Sequence, residues 1–300
     1  MAKGELRGCG RFAPSPTGDL HLGSLLAAAG SYLDARHAGQ RWLVRIEDLD
    51  TARVVPGAEA RILATLEACG FEWDATPVRQ STRLDAYRDA LVTLAAADRL
   101  FECSCTRKSL EDGAEGGPIT AYPGTCRAGP ARSGGPTATR FRVDEGRYVF
   151  DDRIQGTVRG TWRARGDVVV RRRDGLFAYQ LAVVVDDAWQ GVTDVVRGSD
   201  LLDSAPWQIT LGGALGTAPV RYAHLPVLVE PDGRKLAKSR RAVAVDTAHA
   251  GRALETVLSL LRVPPPPELA GAHPRELWAW AVPKWSVERL RGSRTLPAPE

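Results

Sequence analysis

No apolar run in this chain of 300 residues approaches the roughly 20 that a membrane-spanning helix needs, which sets aside a helical membrane protein. The opening Met1-Ala-Lys-Gly-Glu5 lacks the apolar core of a secretory signal, so the cytoplasm is the expected location. Cysteine is scarce too, five in all, and in that compartment structural disulfides are not expected. No tandem repeat is evident. Neither sign of charge dominates: 40 Lys and Arg against 36 Asp and Glu leave +4. A nucleic acid would therefore be held by local basic surface rather than by the overall field. Arg163, Arg165, Arg171, Arg172 and Arg173 are the candidates, set against Arg- and Ala-rich usage throughout.

Two short stretches far apart carry most of the information. The first, Arg11-Phe-Ala-Pro-Ser-Pro-Thr-Gly-Asp-Leu-His-Leu-Gly-Ser24, places two prolines and a glycine between an apolar entry and the helix-suited run Ser24–Leu33. It reads as a strand, a tight loop and a helix start, and a helix N-terminus offers unpaired N–H groups and partial positive charge to phosphate. His21 can donate to a phosphate oxygen that gains charge during displacement, and Gly23 has no side chain to hold an adenine ring away. The second stretch, Lys235-Leu-Ala-Lys-Ser239, follows the turn Pro231-Asp-Gly-Arg234. Lys235 and Lys238 put two ammonium groups where a departing pyrophosphate could use them. Read singly, the first stretch could be an ordinary turn and the second a solvated basic run.

Together, His21-Leu-Gly-Ser24 and Lys235-Leu-Ala-Lys-Ser239 resemble the paired signatures of class I aminoacyl-tRNA synthetases, and the long motif from Arg11 to Ser24 resembles their glutamate branch. Ser24 stands where many such enzymes have a second histidine, and Leu236 and Ala237 depart from the commonest lysine loop. The resemblance implies an α/β fold with a Rossmann-type catalytic domain. ATP would bind at His21, Gly23 and Lys238, with His21, Lys235 and Lys238 catalytic.

The segment Arg41–Asp50 is apolar and β-prone up to Ile46 and then turns acidic, as at the carboxyl edge of a parallel strand, where open α/β sheets bind ligands. Glu47 is placed to take an ammonium group, and the resemblance to glutamyl-tRNA synthetases assigns it that role; a helix cap is the alternative. A second β-like run, Phe177–Val185, precedes Val195-Val-Arg-Gly-Ser-Asp200. By the same likeness Tyr179 and Arg197 line the amino-acid pocket, completed by Arg11, Phe12, Ala13, Pro14 and Ser15. Arginines facing a carboxylate favour glutamate over glutamine, whose amide offers one acceptor and a misplaced donor.

Three of the five cysteines, Cys103, Cys105 and Cys126, fall in a Gly- and Pro-rich segment between these halves. They offer three soft ligands for tetrahedral zinc, with Tyr122, Glu111, Asp112 or water open as the fourth. The order Cys-x-Cys then Tyr-x-x-x-Cys is similar to the zinc site of the glutamyl-Q tRNA(Asp) synthetases, shortened relatives of glutamyl-tRNA synthetases, and this likeness selects Tyr122. One zinc ion would be structural, stapling a loop-rich module. Cys9 and Cys69, in apolar contexts, read as buried fillers.

The expected division is 1–100 as the first half of the catalytic domain, 101–166 as the insert, 167–240 as the second half, and 241–300 as a helical segment and tail. About sixty residues follow Ser239, too few for an anticodon-binding domain. The family likeness implies activation of glutamate with ATP but without tRNA, then transfer to the queuosine base of tRNA(Asp); Mg²⁺ is expected to be carried in on ATP, and a monomer is expected. The alternatives are a truncated glutamyl-tRNA synthetase charging an acceptor end, an inactive tRNA-binding paralogue, and a small-molecule adenylyltransferase.

Overall fold

The computed structural model describes residues 8–112, 121–132, 134–234 and 243–299. The first half runs β1 (Cys9–Phe12), α1 (Leu22–His37), β2 (Arg41–Ile46), α2 (Ala58–Ala68), β3 (Val78–Arg79) and α3 (Leu84–Ala96). The middle holds β4 (Leu100–Cys103), α4 (Arg107–Asp112), β5 (Ala138–Phe141), β6 (Arg147–Asp152), β7 (Gly156–Thr161) and β8 (Val168–Arg171). The chain returns through α5 (Tyr179–Trp189), β9 (Asp194–Gly198), α6 (Ala205–Ala214), β10 (Arg221–Leu225) and β11 (Val227–Val229). It finishes with α7 (Ala250–Leu260), α8 (Pro274–Ala281) and β12 (Thr295–Pro297).

The main sheet has the order β3-β2-β1-β9-β10-β6-β7 and is parallel except for the β6–β7 hairpin. From β1 the chain steps outward one way to β2 and β3, and from β9 the other way to β10. That reversal marks the carboxyl ends of β1 and β9 as the edge at which open α/β sheets form a ligand crevice. Within the 101–166 segment, β4 and β5 join β8 in a separate antiparallel sheet, whereas β6 and β7 extend the main one.

Helix α1 begins where the sequence signals it. His21 is its N-cap, its Nδ1 accepting from the Ser24 N–H at 3.2 Å, while Arg36 and His37 complement the dipole at the other end. The helix lies close on β10 at Gly30, where an added Cβ would come within 2.5 Å of Leu225 Cδ1. The run Phe177–Val185, expected as β-like, is instead helical from Tyr179, where α5 starts. Leu181, Ala182, Val183 and Val184 are all buried, and an apolar run buried on every side carries no period to separate strand from helix.

The carboxyl-terminal helices share the main hydrophobic core. Trp278 packs on Tyr32 and Phe71 with ring centroids 4.8 and 5.0 Å away, and its Nε1–H donates to Cys69 O at 2.9 Å. Trp285 donates to Asp34 of α1 at 3.1 Å. Cys9 and Cys69 are fully buried, as expected of fillers. No helix among the described residues is long and apolar enough to cross a membrane.

Candidate active site

The loop after β1 is held over the sheet by its backbone. Glu47 N–H donates to Pro14 O and Val55 N–H to Pro16 O, both at 2.9 Å, so Phe12, Ala13, Pro14 and Ser15 run along the carboxyl end of β2. Phe12 and Pro14 are buried and Ser15 is exposed. At the far end of the loop, His21 and Gly23 stand on the first turn of α1, and a Cβ at Gly23 would meet only the His21 ring. Lys235 and Lys238 lie outside the described residues. The flanks are described: Ala244 bridges His21 in antiparallel fashion and Val245 N–H donates to Leu20 O at 2.9 Å. The chain following the lysine stretch thus returns to the His21 signature.

Beside this loop sits a buried ionic cluster. Arg11, on β1, donates from Nε and Nη2 to the two carboxylate oxygens of Asp187 at 3.1 and 3.3 Å. Arg45, two residues before Glu47 and fully buried, donates from Nη1 to Asp187 and Gln190 at 2.7 Å each and from Nη2 to Glu47 at 3.3 Å. Burial works against the Asp187 carboxylate, but the two guanidiniums outweigh it and hold its pKa below the usual range. For Glu47 the balance reverses: burial raises its pKa despite the opposing Arg45 and Arg11.

Across the crevice, Arg197 on β9 is 6% exposed. It donates from Nη1 to the Tyr179 hydroxyl at 3.1 Å and to Gln208 Oε1 at 2.7 Å, and from Nη2 to Leu201 O at 3.2 Å. Its Nε–H donates to His224 Nε2 at 3.0 Å. Tyr179 opens α5, and its hydroxyl accepts from Arg197. Burial raises the Tyr179 pKa and keeps it a neutral phenol. Reading the sequence missed Arg45, Asp187, Gln208 and His224. An arginine two residues before Glu47, after the apolar Trp42-Leu-Val44, was the one available hint.

A second cluster lies in the separate sheet's loops. The Sγ atoms of Cys103, Cys105 and Cys126 are all within 4.8 Å of one another, with Cys105 and Cys126 at 3.6 Å. Zn–S bonds of about 2.3 Å in a tetrahedron put sulfurs about 3.8 Å apart, so the donor set fits that ion. The Tyr122 hydroxyl stands at the cluster, accepting from the Cys103 thiol at 3.3 Å and from the Cys126 N–H at 2.9 Å. Burial opposes the Cys126 thiolate, yet the Ala131 N–H and the Tyr122 hydroxyl outweigh it and lower its pKa to about 6. A thiolate at neutral pH is what a metal requires. Side chains of Glu111 and Asp112 lie outside the described residues.

Of the five candidate arginines for RNA contact, Arg165, Arg172 and Arg173 are engaged with the protein itself. Arg165 pairs with Asp203 at 2.6 Å and Arg172 with Asp174 at 2.7 Å, while Arg173 donates to Pro136 O at 2.9 Å. Arg163, Arg171 and Arg172 are exposed.

Residues 9–253 match the model of the class I tRNA synthetases for glutamate and glutamine, catalytic domain, and the chain belongs to that family. Within it, the curated relatives narrow the likeness further. The chain is 52% identical over 290 residues to a protein of Pseudomonas aeruginosa named glutamyl-Q tRNA(Asp) synthetase, covering 96% of this chain and 97% of that one. It is 55% identical over 285 residues to a protein of the same name from Aromatoleum aromaticum, covering 93% and 89%. Among solved structures, it aligns with a glutamate-tRNA synthetase of Elizabethkingia anophelis at TM-score 0.80 and 24% identity, covering 97% of this chain and 68% of that one. A glutamate tRNA ligase of Elizabethkingia meningosepticum, solved in complex with its amino acid, aligns at TM-score 0.78 and 25% identity, covering 96% and 66%.

Proposed function

We propose that the protein activates L-glutamate with ATP, without tRNA, and transfers it to the queuosine base of tRNA(Asp). The observation that carries this reading is likeness over nearly the whole chain to relatives named glutamyl-Q tRNA(Asp) synthetase. The geometry supports it. Glu47 takes the ammonium group of glutamate, and Arg11, Tyr179 and Arg197 face its carboxylates, with Phe12 to Ser15 closing the pocket. A carboxylate oxygen of glutamate then attacks the α-phosphorus of ATP and pyrophosphate leaves, giving a glutamyl-adenylate. His21 and the N–H groups opening α1 hold the phosphates, Gly23 admits the adenine ring, and Lys235 and Lys238 neutralise the departing pyrophosphate. Mg²⁺ bound with ATP supplies further neutralisation of the triphosphate. A nucleophile on queuosine next attacks the acyl carbon and releases AMP.

Cys103, Cys105, Tyr122 and Cys126 hold one structural zinc ion. The same reading divides the chain into catalytic halves at 1–100 and 167–240, an insert at 101–166 and a helical segment at 241–300. It has the protein act as a monomer in the cytoplasm.

The test is exchange of pyrophosphate into ATP, comparing glutamate, glutamine and aspartate without RNA. Exchange with glutamate alone is expected. Exchange that needs added tRNA would overturn the tRNA-independent mechanism in favour of ordinary charging of an acceptor end.

A further inference from the structure

His224 and Asp152 belong to no part of the reading above, yet both are buried directly behind Arg197. His224 lies on β10 beside Arg197, its register partner on β9, and is fully buried. An arginine Nε–H can only donate, so the 3.0 Å contact makes His224 Nε2 the acceptor. The ring proton therefore sits on Nδ1, which donates to Asp152 Oδ2 at 2.5 Å. The other Asp152 oxygen accepts from the N–H groups of Ile154, Gln155 and His224 at 3.0, 2.8 and 3.2 Å. Those bonds and the histidine outweigh burial and keep Asp152 ionised. Burial, together with nearby Arg197, keeps His224 neutral against the pull of Asp152.

We propose that Asp152 and His224 are positioning residues for recognition of the substrate carboxylate by Arg197. Asp152, at the end of β6, fixes the histidine in its Nδ1–H tautomer. The Nε2 lone pair then sets the plane of the guanidinium, whose Nη1 is taken by Tyr179 and Gln208. Of the five N–H groups, four are committed among the described residues by these bonds and the one to Leu201 O, which leaves one Nη2 N–H and the charge for a ligand. A guanidinium held this way meets a carboxylate without searching, and an amide gains less from it. The hairpin that extends the main sheet is thereby coupled to substrate choice. The inference rests on Arg197 as a glutamate-binding residue.

Two substitutions separate the halves of the relay. His224→Asn keeps a donor near the Nδ1 position for Asp152 and removes the acceptor for Arg197. His224→Gln can place an acceptor near the Nε2 position and gives up the donor to Asp152. In pyrophosphate exchange, His224→Asn should raise the glutamate KM roughly tenfold or more, with the ATP KM within about twofold of the parent, since one hydrogen bond to a charged group is lost. His224→Gln should hold the glutamate KM closer to the parent while melting at lower temperature. A parental glutamate KM in His224→Asn, with only the melting temperature lowered, would make the pair structural and overturn the proposal.

Arg197→Ala separates the two levels. If it leaves the glutamate KM unchanged, the assignment of Arg197 falls and the relay with it. If it raises the KM and His224→Asn does not, the relay alone falls. An independent reading needs no folded variant for its outcome: nitrogen NMR of the histidine-labelled parent protein, which has five histidines. A neutral, Nδ1-protonated ring with bare Nε2 at His224 is expected, and an imidazolium or Nε2–H ring would refute the relay.

Discussion

Arg45 Nη1 lies 2.7 Å from Asp187 Oδ1, joining the β2 strand to the α5 helix beneath the crevice, and Arg11 grips the same carboxylate from β1. One acidic side chain on a helix thus sets two arginines on neighbouring strands, and through Arg45 it also steadies Glu47. Removing a partner from such a buried group leaves charge uncompensated, which costs about 3–5 kcal/mol. Arg45→Met should lower stability to urea by that order and raise the glutamate KM, because Glu47 loses its anchor. Unchanged stability would mean that Arg11 alone satisfies Asp187.

Glu47 must be anionic to accept an ammonium group, yet burial raises its pKa above the ordinary 4.5. A carboxyl raised in the folded state favours its protonated form, so its stabilising contribution is present at low pH and is lost as pH rises through the raised value. Glutamate binding runs the opposite way, weakening as pH falls through that value. The acid limb of kcat/KM for glutamate should therefore lie above 4.5, while the acid limb for ATP should not follow it. A glutamate limb at or below 4.5 would take Glu47 out of this role.

The carboxyl-terminal helices pack on α1 and the segment after α2 through Trp278, buried against Tyr32 and Phe71, whereas Trp280 on the same helix is only partly buried, with Lys284 over its ring. Trp278→Ala should cost about 3–5 kcal/mol of unfolding free energy and lower activity through loss of folded protein. Trp280→Ala should cost under about 1 kcal/mol. Equal effects would show that the helices are stapled elsewhere.

How far the sequence revealed this site depends on the kind of interaction. Chain-local signals were legible: the proline-rich turn into α1, the abrupt acidity after Ile46, and the closely spaced Cys103 and Cys105. The run Phe177–Val185 was misread because a helix buried on all sides looks like a buried strand. Asp187, Gln208, His224 and Asp152 escaped because their meaning comes from partners far along the chain. Arg11 and Asp187 are 176 positions apart, and Asp152 and His224 are 72 apart. No local pattern encodes such pairs, and only the sheet order, with β1 beside β9 and β10 beside β6, brings them together.

The sulfur cluster is the remaining local device, and its energetics are separable from those of the crevice. Cys103 ends β4, and Tyr122 and Cys126 lie in the loop before β5, so a bound ion would close that loop onto the three-stranded sheet. The Tyr122 backbone is already pressed against Gly166, whose φ of +70° suits glycine and where an added Cβ would come within 2.3 Å of Tyr122 O. Metal binding of this kind adds its free energy to folding, with apparent values of about 10–16 kcal/mol for structural zinc in small peptides. Protein purified without chelators should carry about one zinc per chain by elemental analysis, given one such cluster of three thiols. Cys126→Ser should lose the metal and lower the melting temperature, whereas Cys69→Ser should leave the metal in place. Full stability with no metal in the parent protein would reduce the cluster to three packed thiols.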